Sequence, residues 1–222
     1  MVSRAGEYRT IEIRLRRDLP TQSDAFPDLV SEPREALRPR SSTRRCGDEE
    51  VHLARNVLSE LGISLEAIRA RGLIRYEEAK SLEIVEIGDD GEAHRLVPVA
   101  GHAWRRLKSA AEIDGQSLFI ESAFRSVSGQ VEIIRERLFE GQTIEQILTA
   151  CAPPGFSEHH TGRAVDVNTV GVLDPTRDFE GTPAFRWMRE NAGRFGFRLS
   201  YPRDNAFGYV YEPWHWCFAA PE

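Results

Sequence analysis

The chain has 222 residues, 41% of them hydrophobic, and its 29 basic and 35 acidic side chains leave a net charge of −6. That length holds one domain with a real core and a small appendage besides, and the acidic balance excludes a nucleic-acid binder that works through a general positive field. No window is apolar enough to cross a bilayer, and Cys46, Cys151 and Cys217 form no CxxC pair, so neither a disulfide framework nor a cysteine-rich metal site is implied.

Residues 1–20 carry charges throughout and lack the apolar run and small-residue cleavage site of a secretory signal, so the expected compartment is the cytoplasm. Tyr8 to Arg16 alternates enough for a short strand. The stretch after it is rich in Pro, Ser and Arg, and Arg38 to Arg45 (RPRSSTRR) reads as a solvated linker. From Asp48 the apolar spacing turns helical: Val51, Leu53, Ala54, Val57, Leu58 and Leu61 recur three and four apart until Gly62 stops the run. A second short helix is expected over Ser64 to Arg71. Residues 81–99 read as a hairpin around Asp89-Asp90-Gly91.

Ala103 to Ile113 is an amphipathic helix, and Ser117 to Phe124 a buried strand that delivers Arg125. Val131 to Phe139 and Thr143 to Ala150 are read as helices, and Ala164 to Asn168 as a strand after the loop Pro153-Pro154-Gly155. Thr182 and Pro183 have the residue types of an N-cap and a first helical position, which starts a helix to about Arg194. Phe197 to Tyr201 and Tyr209 to Phe218 close the chain as strands. Helices and strands mix without a βαβ rhythm, so the fold class is α+β. The division expected is an N-terminal extension and basic linker (1–47), a helical and hairpin accessory segment (48–97) and a catalytic domain (98–222).

Histidine carries the chemistry. Three of the six lie in two short segments, SEHHTGRAVD (Ser157 to Asp166) and EPWH (Glu212 to His215). A catalytic zinc site needs three nitrogen or oxygen ligands and a carboxylate outside the ligand set to take a proton from water. His159, Asp166 and His215 supply the ligands and Glu212 the base. A turn at Gly162 brings His159 and Asp166 to one ion, and Pro213 stiffens the bend between Glu212 and His215. The helical HExxH motif of other metallopeptidases is absent. His52, His94 and His102 have no ligand partner at useful spacing. His160 is read as a neighbour of the site and not as a ligand.

These blocks resemble the VanY-type D-alanyl-D-alanine carboxypeptidases. SAFRSVSGQ (Ser122 to Gln130) is similar to the family's SGYRSxxxQ, PGFSEHHTGRAVDV to its PGxSEHQTGxAVD, FEGTPAFRWMRENAGRFGF to the helix before its third block, and GYVYEPWHW to its closing strand, over about Pro98 to Phe218. The resemblance implies a small antiparallel sheet flanked by helices, the fold shared with the Hedgehog signalling domain. It also implies zinc at His159, Asp166 and His215, with Glu212 as general base. Arg125 would bind the substrate carboxylate or the developing oxyanion, and Gln130 and Ser157 would line the same cleft.

The chain departs from the family pattern at Phe124, where the pattern has tyrosine, and at Ser200 and Cys217, where it has arginine. The function expected is zinc-dependent D,D-carboxypeptidase action on a peptidoglycan peptide, with no nucleic-acid partner. Action at the cell envelope then needs a further export or phage-release route. The alternatives are an endolysin-like peptidoglycan endopeptidase, an L,D-carboxypeptidase, and a non-catalytic zinc-binding recognition module. Retention of Glu212 argues against the last, because a structural zinc site needs no base.

Overall fold

The computed structural model describes residues 56–219. The strand expected at Tyr8 to Arg16, the linker Arg38 to Arg45 and the first turns of the helix expected from Asp48 lie outside the described residues. That helix, α1, is seen at residues 56–60 and ends in a turn at Leu61 and Gly62. Helix α2 (Leu65–Ala70) follows, with the Ser64 hydroxyl accepting the otherwise orphaned N–H groups of Glu66 and Ala67. Strands β1 (Glu83–Ile87) and β2 (Ala93–Leu96) form the expected antiparallel hairpin, and Gly91 in its turn has φ +83°.

Two helices begin earlier than their apolar periodicity indicates. Helix α3 (Pro98–Ile113) places Pro98 in its first turn, where the missing N–H costs no hydrogen bond. Helix α4 (Val127–Phe139) starts at Ser126, whose hydroxyl accepts the Gly129 N–H. Helix α5 (Ile144–Ile147) is a single turn held by a reciprocal capping box between Thr143 and Gln146. After α6 (Pro175–Asp178), α7 (Pro183–Asn191) begins as its Thr182-Pro183 signature indicates, with the Thr182 hydroxyl accepting from Phe185 N–H.

The main sheet contains β3 (Phe119–Ser122), β4 (Ala164–Asn168), β5 (Phe197–Leu199) and β6 (His215–Phe218) in the order β3-β4-β6-β5, every pair antiparallel. The observed class is α+β with a small antiparallel sheet and flanking helices, as expected. The strand read over Tyr209 to Phe218 is confined to its last four residues. Pro213 has no N–H to give a ladder, and the chain turns there instead, with His215 N–H donating to the Glu212 carbonyl at 3.2 Å.

Side-chain alternation sorts the sheet into a core face and a site face. Ile120, Val165, Val167, Trp216 and Phe218 pack with Trp104 and Leu107 of α3 and with Phe185 and Met188 of α7. The intervening residues, Asp166 on β4 and His215 and Cys217 on β6, project from the other face. A second cluster joins Leu58, Leu61, Ile63 and Ile68 to Val131 and Ile134 of α4 and Ile147 of α5. Glu86 of β1 ties the hairpin in: its carboxylate accepts from Trp104 Nε1 at 3.2 Å and from Ile120 N–H at 3.0 Å, and pairs with Lys108 at 3.0 Å. Among the described residues no helix is long and apolar enough to cross a membrane.

Candidate metal centre

Register sets the first contact of the site. Asp166 and His215 are cross-strand partners in the β4–β6 ladder, and Ser122 of β3 is the partner of Asp166 on its other side. Neighbours in a ladder share a face. Asp166 Oδ1 accordingly lies 2.9 Å from His215 Nδ1.

His159 arrives from a different element, the 3-10 turn Glu158–Thr161. The Ser157 hydroxyl opens the turn by accepting the His159 N–H. Gly162 closes it with φ +62°, a left-handed backbone that strains any residue with a Cβ. A Cβ there would also sit 2.7 Å from Leu82 Cδ2 and 3.2 Å from the Val97 nitrogen, so a side chain would crowd its neighbours as well as strain the backbone. The turn carries His159 Nε2 to 3.3 Å from Asp166 Oδ2, and the His159 and His215 rings meet edge to face at 4.9 Å.

Donor atoms of His159, Asp166 and His215 all lie within 4.8 Å of one another. Two imidazoles and a carboxylate are the nitrogen and oxygen donors that zinc accepts, so the residues present fit that ion. Hydrogen bonds decide which ring atoms face the centre. His159 Nδ1 is 2.6 Å from the Ala123 carbonyl, which can only accept, so the proton sits on Nδ1 and Nε2 keeps its lone pair. Burial holds the His159 pKa below its ordinary value, outweighing the pull of Asp166, so the ring is a neutral donor. Burial alone would raise Asp166, but the His159 and His215 rings overcome it and hold the carboxyl well below the usual carboxylate range. His215 is the opposite of His159: burial lowers it, yet its bonds to Asp166 and Glu158 prevail and lift it to about 10.

Glu212 stands beside this set. It is buried, its own N–H is tied to the Tyr201 carbonyl at 3.1 Å, and among the described residues no protein group donates to its carboxylate. Burial, with Asp166 and Glu158 adding to it, raises its pKa to about 7 against the opposing charges of His215 and Arg125. A carboxyl near neutrality is suited to move a proton in either direction.

Arg125 leaves the end of β3 and is held on two sides: one amine nitrogen donates to Gln130 Oε1 and the other to Ser122 Oγ, both at 3.0 Å. Gln130 is buried and fixed in turn by donating from Nε2 to the Ala152 carbonyl at 2.7 Å. Ser122 is the cross-strand partner of Asp166, so its bond to Arg125 holds the guanidinium on the site face of the sheet. His160 is fully buried and directed away from the donors. Its Nδ1 donates to the Arg125 carbonyl at 2.7 Å and its Nε2 accepts the Gly155 N–H at 3.1 Å, so a neutral ring locks the two site loops together.

Sequence reasoning passed over two contributors. One is the Ala123 carbonyl, a backbone group with no residue-type signal. The other is Glu158, inside the SEHH block between Ser157 and His159, whose Oε2 lies 3.0 Å from His215 Nε2. An acidic residue directly beside a candidate ligand histidine was the available signal.

The sheet, its site-face donors and the buried glutamate define an α+β domain with a His/Asp/His centre suited to one metal ion. The chain belongs to the VanY family, D-alanyl-D-alanine carboxypeptidase, whose model matches residues 93–221. It is 35% identical over 126 residues to a D-alanyl-D-alanine carboxypeptidase of Enterococcus faecalis, covering 52% of this chain and 45% of that protein. Among solved structures it is similar to a variant of the vancomycin resistance D,D-pentapeptidase VanY from a VanB-type cassette in complex with Zn(II), at 31% identity and a TM-score of 0.51, covering 66% of this chain and 82% of the other. It is similar too to the LdcB LD-carboxypeptidase, at 28% identity and a TM-score of 0.57, over 64% and 69% of the two chains. The chain spans about half the length of the curated relatives it matches.

Proposed function

We propose that this chain is a zinc-dependent D,D-carboxypeptidase that removes the terminal D-alanine from peptidoglycan-type peptides. The observation that carries the reading is the convergence of His159, Asp166 and His215 donor atoms within 4.8 Å beside a buried Glu212 whose carboxylate makes no hydrogen bond among the described residues. The zinc in the similar VanY structure supports the choice of ion. Zinc, when bound, supplies a Lewis acid that polarises the scissile carbonyl and makes water more acidic.

The protein's own groups do the rest. Glu212 takes the proton from water and hands it to the leaving amine. Arg125, oriented by Gln130 and Ser122, pairs its planar guanidinium with the free carboxylate of the peptide, which selects a chain end over an internal bond. Ser157 uses its oxygen to set the His159 turn, and we assign its hydroxyl to the lining of the substrate cleft. We assign catalysis to residues 98–222, with 48–97 as an accessory segment. Tyr76 N–H donates to the Gly155 carbonyl and Ala79 N–H to the His160 carbonyl, each at 2.8 Å, which supports a bracing role for that segment against the site loop.

Purified protein with zinc and a muramyl pentapeptide is expected to release free D-alanine. No release by the wild type, or undiminished release by Glu212→Ala, overturns the reading. The likeness to LdcB favours one second reading, an L,D-carboxypeptidase. A tetrapeptide substrate separates the two, since only an L,D enzyme trims it.

A further inference from the structure

Glu158 has no task in the chemistry above, yet it is buried against a ligand. It lies in the 3-10 turn immediately before His159, with 5% of its surface exposed. One carboxylate oxygen reaches His215 Nε2 at 3.0 Å, and the other lies 3.5 Å from an Arg198 amine nitrogen. We infer that Glu158 is a positioning residue for His215: its carboxylate accepts a hydrogen bond from Nε2–H and so leaves Nδ1 as the ring atom that faces Asp166 and would be offered to the metal, with Arg198 steadying its second oxygen. The inference deepens the proposed metal site and rests on it.

The reason is geometric. The Tyr201 ring packs against the His215 ring at 4.8 Å and 30°. That contact fixes the plane of the imidazole but not which edge faces the centre, because turning the ring over within the same plane exchanges a nitrogen for a carbon at nearly constant packing. A hydrogen-bond acceptor at Nε2 distinguishes the two orientations and also fixes the tautomer. Glu158 is the acceptor in that place, and its backbone belongs to the turn that positions His159. Two ligands from different elements are thereby set by one short segment.

The surroundings of Glu158 explain where Arg198 enters. Ser200 and Cys217 both adjoin its carboxylate. Arg198 is the cross-strand partner of Cys217 in the β5–β6 ladder, so a guanidinium reaches Glu158 from the opposite strand. Its side chain is 64% exposed, which makes it the weaker of the two contacts.

The test measures zinc affinity by chelator competition and the visible spectrum of the cobalt(II) form, on the full chain without peptide. Glu158→Ala is expected to weaken zinc binding roughly 10–100-fold and to alter the cobalt bands. Glu158→Gln, whose amide oxygen still accepts from Nε2, is expected to recover part of both. Arg198→Ala is expected to lose less than Glu158→Ala. Should Glu158→Ala fail to fold, Glu158→Asp serves, since a carboxylate one methylene shorter cannot make the 3.0 Å bond. Wild-type affinity and spectrum in the Ala or Asp variant overturn the inference, as does a Gln variant no better than Ala. A wild-type chain that takes up no zinc overturns the metal reading and this inference together. A wild type that binds zinc but releases no D-alanine overturns only the carboxypeptidase reading.

Discussion

Asp166 and His215 face each other across the β4–β6 ladder, with Asp166 Oδ1 at 2.9 Å from His215 Nδ1. Residues separated by 49 positions in the chain thus become neighbours through strand register alone, and slipping β6 by one residue would turn His215 into the core. The site is as well defined as the sheet that carries it.

Loss of a donor should therefore act on metal and not on the fold of the sheet. Asp166→Asn is expected to weaken zinc binding by at least the ~100-fold that even outer groups of such sites can cost. The secondary structure seen by circular dichroism should be unchanged. Isothermal titration with zinc measures the loss, and wild-type affinity in this variant would show that Asp166 is not a ligand.

Proton competition fixes the pH dependence of metal binding. His215 is raised to about 10, first against burial and then by its bonds to Asp166 and Glu158, so near neutrality it holds a proton that a metal must displace. Zinc affinity should fall as pH falls, and binding near pH 7 in weak buffer should release protons. Affinity that is flat with pH, measured by chelator competition between about pH 6 and 8, contradicts the assignment.

Glu212 makes a separable prediction. Glu212→Gln keeps the shape and removes the base, so zinc affinity should persist while kcat falls by roughly 10²–10⁴. Since the Glu212 pKa is raised to about 7 by burial, the acid limb of the wild-type pH–rate profile should rise as pH increases through the acidic to neutral range, where the carboxyl loses its proton. A bound cation shifts that limb downward. The Gln variant should lack it.

Arg125 tests the choice of a chain end. Arg125→Ala should lower kcat/KM by about 10–100-fold for a peptide ending in a free carboxylate, in line with ~1.5–3 kcal/mol for hydrogen bonds to a charged group. It should change little for the same peptide ending in an amide. Equal losses on both substrates would assign Arg125 to the developing oxyanion instead.

Gly162→Ala tests the turn that delivers His159. With φ +62° and a Cβ driven to 2.7 Å from Leu82 Cδ2, the substitution is expected to destabilise the fold by about 1–3 kcal/mol and to weaken metal binding. Thermal melts with and without zinc measure both effects.

Residue type and spacing made most of the site legible before any coordinate. The blocks SEHHTGRAVD and EPWH carry the donors and Glu212 at distinctive intervals, because ligand chemistry restricts which side chains can serve. Local elements with strong end signals, such as Ser64 before α2 and Thr182-Pro183 before α7, were legible too, since a cap is chosen by residues within one turn of it. Helix starts at Pro98 and Ser126 were missed because apolar periodicity begins later than the cap.

What only the tertiary structure decided is which atoms meet. Register between β4 and β6 put Asp166 beside His215, the Ala123 carbonyl chose the tautomer of His159, and packing brought Glu158 to the far edge of the His215 ring. None of these is written in residue types. They arise from pairing and packing between segments distant in the chain, where the identity of a neighbour is settled by the fold as a whole.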